Sequence, residues 1–349
     1  MILSIFILLI ISVISISALL GYLFSAPVYK GPLSDHFNGE KFINPGAIKA
    51  KGFKDLWKWM RTREKGVWEE LKDIKPGHPP AERVTGDIPV VTFINHSTFL
   101  IQLMDLNILT DPIWSKRASP VSFAGPKRMR PPGIRYEDLP SIDHVLLTHN
   151  HYDHLDITAL KRLWKDFQPT IFCPLGVAEY LKGKGIGKVK EMDWWDELNI
   201  NADMEVVCTP AQHFSGRGMF DRDRTLWCGY AIKTRKGSIY YSGDTGYGDF
   251  FSEIARKIAP IRLSFLPIGA FKPEWFMSPI HTSPRDALRI HKEINSPVSI
   301  AMHYGTFPLA DDGQHEPEME TRRLMQELNI PENNFLILKE GVPFTLPGL

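Results

Sequence analysis

Six consecutive residues, His149-Asn150-His151-Tyr152-Asp153-His154, bring three imidazoles and a carboxylate together in the chain. They follow a short apolar run at 145–147, which reads as a buried strand. Beyond them Asp156 suits the N-cap of a helix whose apolar face is Ile157, Leu160, Leu163, Trp164 and Phe167. The cluster is therefore expected on a strand-to-helix loop, where side chains at a strand end converge on a cleft. Four borderline ligands so close together point to a metal site, and a solvated polar loop has no use for three histidines. The other ligands must come from elsewhere. His213 after residues 205–210, Asp244 after 239–243 and His303 after 298–302 each stand at the end of an expected strand.

A chain of 349 residues, 43% apolar, is long enough to bury a substantial core. Apolar or alternating runs at 90–94, 99–103 and 107–109 predict an opening β meander. Later strands are expected at 205–208, 230–233, 238–241, 263–266 and 298–302, and helices around 284–294 and 317–328. Cys173, Cys208 and Cys228 have no paired short spacing and read as buried free thiols. The 41 Lys and Arg balance 40 Asp and Glu, so no global basic excess supports a nucleic-acid partner.

Residues 1–24 carry no ionisable side chain and, as a helix, are long enough to cross a ~30 Å hydrocarbon layer. A cleaved signal peptide would carry a basic n-region, which is missing, so a retained anchor is expected. Lys30, Lys41, Lys49, Lys51, Lys54 and Lys58 follow the apolar segment, which places the large domain on the cytoplasmic side. Residues 25–84 form a juxtamembrane extension. Within it Phe53, Leu56, Trp57, Met60, Val67, Trp68 and Leu71 repeat at helical spacing and predict one amphipathic helix, interfacial or packed on the domain. The catalytic domain is expected over 85–349.

The pattern His-x-His-x-Asp-His followed by His213, Asp244 and His303 resembles the metallo-β-lactamase superfamily. The resemblance implies a four-layer αββα sandwich over about residues 85–349. It also implies one zinc held by His149, His151 and His213, a second held by Asp153, His154 and His303, and Asp244 bridging them. Mixed His and carboxylate ligation leaves iron or manganese open as well. Thr110-Asp111-Pro112, Arg117-Ala118-Ser119-Pro120, Gly125-Pro126-Lys127-Arg128, the tract from His213 to Trp227 and Pro279-Ile280-His281 narrow the likeness. They resemble the branch containing N-acylphosphatidylethanolamine-hydrolysing phospholipase D.

That branch implies a membrane phospholipid as substrate, with phosphatidic acid and an N-acylethanolamine as products. Two zinc ions would supply a bridging hydroxide to attack phosphorus, and Asp153 would take or relay the proton. His281 precedes Ser283 and Pro284, an expected N-cap and first helical residue, and is a candidate to contact phosphate or protonate the leaving group. Arg117, Arg128, Arg217 and Arg222 are candidate headgroup contacts, although a salt-bridged surface loop explains them too. His96 and Asp111 are expected to orient loops and metal-binding imidazoles without binding metal themselves. The same site would open a lactone or other ester, and a non-catalytic membrane scaffold is a third reading. The partners expected are lipid and bilayer, with the oligomeric state open and a homodimer included.

Overall fold

Strands that are apolar on both faces need cover on both, and the central strands here are buried almost throughout. The computed structural model describes residues 2–348, with the side chains of residues 2–5, 7–10, 13 and 14 outside the described residues. β1 (Val90–Asn95), β2 (Thr98–Leu103), β3 (Leu106–Thr110), β4 (His144–Leu146), β5 (Thr170–Pro174) and β6 (Val189–Met192) pair in chain order. Pairing is antiparallel as far as β3 and parallel beyond it.

A second sheet repeats the scheme with β7 (Glu197–Asn199), β8 (Met204–Thr209), β9 (Gly229–Thr234), β10 (Gly237–Tyr241), β11 (Ile261–Pro267), β12 (Ser299–Met302) and β13 (Phe335–Leu336). It is antiparallel as far as β10 and parallel from there on. β14 (Pro343–Thr345) returns antiparallel to β1, so both sheets are mixed and seven-stranded.

The period-2 alternation of side chains builds the core. Phe93, Phe99 and Ile101 of the first sheet meet Ile239, Tyr241 and Phe265 of the second, with the Phe99 and Phe265 rings 4.7 Å apart. The intervening residues Ile94, Leu100, Leu109 and Val145 face outward into a second cluster.

The helices, in chain order, are α1 (Ile2–Phe24), α2 (Phe53–Arg61), α3 (Ile157–Asp166), α4 (Val177–Gly183), α5 (Phe250–Lys257), α6 (Glu274–Met277), α7 (Pro284–Glu293) and α8 (Glu316–Glu327). Leu160 and Leu163 of α3 and Val177 and Leu181 of α4 cover the outer face of the first sheet. Phe251, Ile254, Leu288, Ile290 and Leu324 bring α5, α7 and α8 onto the second. The layers run helix, sheet, sheet, helix, which matches the expected sandwich. Asp156 caps α3 through Thr158 and Ala159, and Ser283 caps α7 with Asp286 completing a capping box. The three cysteines are free and buried.

The extension departs from expectation in two places. The helix predicted to run from Phe53 to Leu71 ends at Arg61. Beyond it the chain is extended against the domain, with Gly66 N donating to Asp311 O at 2.7 Å, Trp68 Nε1 to Asp312 O at 2.9 Å and Leu71 N to Met129 O at 2.7 Å. Gly66 permits this approach, since a Cβ there would lie 2.2 Å from Gly313 N. Tertiary hydrogen bonds thus override the helical spacing.

The expected spanning helix is the second case. Residues Ile2–Phe24 form one helix of 23 residues, yet among the described residues no helix is long and apolar enough to cross a membrane. The anchor reading lacks support from the structure and rests in part on side chains outside the described residues. At the foot of α1, Gly21 O accepts from Met219 N at 3.3 Å, and Ala26 N donates to the Asp221 carboxylate at 2.8 Å.

Candidate metal centre

Every residue of the cluster leaves the end of a strand. The loop after β4 carries His149, His151, Asp153 and His154; His213 follows β8, Asp244 follows β10 and His303 follows β12 directly. Local backbone demands are unusual here: His96, Asp111 and His303 have φ of 50°, 31° and 60°. Gly243, φ 62°, leads into Asp244 where a Cβ would lie 2.7 Å from Cys228 O and 2.8 Å from the Thr148 side chain.

The nitrogen and oxygen atoms fall into four overlapping groups: two sets, His149 with His151 and His213 and His96 with Asp153, His154 and His303, and two more in which Asp244 joins His149 with His154 and His213 with His281. His149 Nε2 lies 2.8 Å from His151 Nδ1, which lies 3.2 Å from His213 Nε2. Asp153 Oδ2 lies 3.4 Å from both His154 Nε2 and His303 Nε2. Asp244 Oδ2 stands between the sets, 3.0 Å from His303 Nε2, 3.2 Å from His154 Nε2 and 3.8 Å from His213 Nε2.

An ion bound tetrahedrally at about 2.0–2.1 Å spaces its donors roughly 3.3–3.4 Å apart, close to these separations. His154 Nε2 and Asp244 Oδ1 are buried with no hydrogen-bond partner. Bare donors at such spacing fit a cation, and the cluster can bind metal.

The electrostatics follow from burial. It holds the imidazoles of His149 and His213 well below the ordinary value and that of His151 down at about 4, with neighbouring histidines adding to the effect. Burial also opposes charge on His154 and His303, but Asp244 and Asp153 outweigh it and raise both, His303 to about 9. Burial would raise the carboxyls of Asp153 and Asp244, yet the adjacent His154 and His303 keep both well below the usual carboxylate range.

A further layer aims these groups. Asp111 Oδ2 accepts from His154 Nδ1 at 2.8 Å, Thr148 Oγ1 at 2.7 Å and Tyr241 OH at 2.8 Å. His213 Nδ1 donates to Ile280 O at 2.8 Å, and Thr148 Oγ1 meets His149 Nδ1 at 2.9 Å. His96 Nε2 lies 3.0 Å from Asp153 Oδ2, close enough to the second set to share its space. His281 sits between α6 and α7 with Nδ1 4.0 Å from Asp244 Oδ2; burial holds its pKa at about 3.

The four arginines are placed differently. Arg128 is buried, bonding Asn95 Oδ1 at 3.0 Å, Ser115 O at 3.0 Å and Ile113 O at 3.1 Å. Arg217 is buried and donates to Asn150 O at 2.7 Å and Leu155 O at 3.0 Å, bracing the loop that carries the first four ligand candidates. Arg117 is half-buried and bonds Ser122 O and Gly125 O. Arg222, also outside the cluster, lies over the Phe214 ring at 4.6 Å. Thr148, Tyr241, the Ile280 carbonyl and Asn44 escaped the sequence reading. Nothing local marks them: Tyr241, Ile280 and Asn44 act through partners distant in the chain, and Thr148 ties the adjacent His149 to the distant Asp111.

Fold and donor set together define a metal-dependent hydrolase. A model of the beta-lactamase superfamily domain matches residues 106–304. The chain is 40% identical over 323 residues to the N-acyl-phosphatidylethanolamine-hydrolyzing phospholipase D 1 of Caenorhabditis elegans, covering 87% of this chain and 88% of that protein. A mitochondrial enzyme of the same description from Saccharomyces cerevisiae is 33% identical over 228 residues, 63% of this chain and 48% of that one. Among solved structures, the isothiocyanate hydrolase from Delia radicum gut bacteria superposes with a TM-score of 0.61 at 22% identity, over 74% of this chain and all (100%) of that one. The chain belongs to the beta-lactamase superfamily, in the family of N-acylphosphatidylethanolamine-hydrolysing phospholipases D.

Proposed function

We propose that this protein hydrolyses a phosphodiester of a membrane phospholipid of the N-acylphosphatidylethanolamine type, releasing phosphatidic acid and an N-acylethanolamine. The observation that carries the reading is the 40% identity to the worm phospholipase, spread over nearly the whole of both chains. Two zinc ions, one per donor set, would supply a water of near-neutral pKa and Lewis acidity toward a phosphoryl oxygen. The protein's own groups do the rest. His149, His151 and His213 would hold one ion and Asp153, His154 and His303 the other, with Asp244 within reach of both. Asp153, hydrogen-bonded to His96, accepts and passes on the proton, and His281 offers an N–H to the phosphate or the departing oxygen. We also propose that α1, with the exposed Phe53, Trp57 and Met60 of α2, sets the chain at a bilayer with the domain on the cytoplasmic side. Fractionation of the protein lacking residues 1–24, with protease protection of the full chain, tests that arrangement.

The substrate reading is tested by incubating metal-quantified protein with N-acylphosphatidylethanolamine in detergent, beside a panel of lactones. Release of phosphatidic acid is expected, with Asp153→Asn reducing turnover by at least about 10²-fold and His281→Ala by roughly 10²–10⁴-fold. Lactone opening with no phosphatidic acid would keep the site and discard the substrate class. Stoichiometric metal binding with no turnover on either substrate would instead favour a scaffold.

A further inference from the structure

Asn44 lies in the extension, 169 residues from His213 in the chain, and is buried at 7% exposure against it. Its carboxamide closes a two-point pair on the His213 backbone: Nδ2 donates to His213 O at 2.9 Å, and Oδ1 accepts from His213 N at 2.8 Å. Oδ1 also accepts from Trp227 Nε1 at 2.9 Å, and Nδ2 donates to Ile48 O at 3.1 Å. All four hydrogen-bonding positions of the amide are thereby filled.

The contact falls where His213 needs it. His213 stands past the end of β8, in a stretch without regular structure that lasts until β9. Among the described residues, Asn44 is the one partner of its backbone N–H and C=O. Asn44 is itself fixed in place. Phe42 N donates to Asp223 O at 2.8 Å and Ile43 N to His36 O at 2.9 Å, while Phe37 and Phe42 pack on Ala211, Leu226 and Trp227.

We propose that Asn44 is a positioning residue for metal ligand His213, so that loading of the His149, His151 and His213 set depends on the N-terminal extension. With Asn44 holding the backbone and Ile280 O holding Nδ1, Nε2 has one direction left, toward His151 and Asp244. An aspartate would not serve, because it would set a second oxygen against the carbonyls of His213 and Ile48. The inference rests on the reading of the cluster as a two-metal centre but not on any substrate.

The test is Zn²⁺ affinity of the full chain by chelator competition, with the visible absorption of the Co²⁺-loaded protein as a second readout. Asn44→Ala and Asn44→Asp should weaken one of the two metal equivalents by about 10–100-fold and alter the Co²⁺ spectrum, leaving the other equivalent unchanged. His213→Ala should lose the same equivalent, and adding Asn44→Ala to it should cost nothing further. Trp227→Phe removes one hydrogen bond from Asn44 but none from His213, and should retain both equivalents. Asn44→Ser, smaller and less disruptive, covers the case in which the other variants fail to fold, and should weaken the same equivalent. Two wild-type equivalents in Asn44→Ala and Asn44→Ser, with only a lower melting temperature, would overturn the proposal. A wild-type chain that binds no metal would overturn the metal reading and this inference with it, whereas metal binding without phospholipid cleavage would leave it standing.

Discussion

Asp111 has both carboxylate oxygens committed to other protein groups. Oδ1 accepts from Thr148 N at 2.8 Å, while Oδ2 accepts from Thr148 Oγ1, His154 Nδ1 and Tyr241 OH. An amide at this position must point its NH₂ at one donor or another, whichever way it is turned. Asp111→Asn should therefore lose about 10–100-fold in metal affinity at the equivalent that includes His154. It should also lose about 1–3 kcal/mol of stability through the group left unsatisfied. Chelator competition and urea unfolding measure the two, and an unchanged affinity would remove Asp111 from the metal centre. Individual residues were legible where their chemistry is local. Three histidines and an aspartate in six positions declare themselves, and Asp111 stands at a visible strand end. Arg128 and Arg217 were read as candidate headgroup contacts, with a surface loop as the alternative, because composition says nothing of burial. In the fold both guanidiniums go to backbone carbonyls.

At the level of elements, Asp156 joins two parts of the first half of the domain. Oδ1 caps α3 through Thr158 N at 3.0 Å and Ala159 N at 3.2 Å, and Oδ2 takes Trp114 N at 3.1 Å and Ser115 N at 2.8 Å from the loop after β3. Loss of an N-cap alone costs about 1 kcal/mol. Asp156→Ala also strands two further N–H groups, so the total should reach about 2–3 kcal/mol in a urea titration; a loss no larger than a cap's would show that the loop does not need it. Capped helices were legible for the same reason that this residue matters: a short polar side chain ahead of an apolar 3.6-residue period leaves little alternative. β5, β6, β7, β13 and β14 were missed. Runs of two to five residues carry too little period to separate from loop, and pairing with a neighbour defines them. In α2 the spacing was right but the length was wrong, because the contacts that end the helix come from residues 311–314.

Across the whole molecule, the two sheets come from successive parts of the chain, save for β14, which returns from the C-terminal end to the first sheet, and each contributes ligand candidates, so the metal centre lies on the seam between them. Spacing and periodicity place every candidate at a strand end, and it was the family resemblance that implied the two halves meet. Neither could show that the extension is fastened across their junction. His36 is one of its fastenings, with Nε2 2.7 Å from Asp193 Oδ1, Nδ1 2.6 Å from Asp35 Oδ1, and its ring stacked on Trp194 at 4.4 Å. Burial alone would lower the His36 pKa, but the hydrogen bonds and charges of Asp193 and Asp35 outweigh it and the net direction is upward. A raised value in the folded state means that the folded chain holds the proton more tightly than the unfolded one. The stabilisation is then complete below the unfolded value of about 6.5 and is lost as pH rises through the folded value. Amide exchange of residues 36–44, corrected for intrinsic rates, should accordingly show protection that declines as pH rises from about 6.5, while the β1 and β2 amides change little over the same range. His36→Gln, which cannot be protonated, should flatten that decline. Equal slopes in the wild type and His36→Gln would mean that the strap is held by Asn44 and the aromatic cluster alone, with His36 contributing packing against Trp194 and no charge.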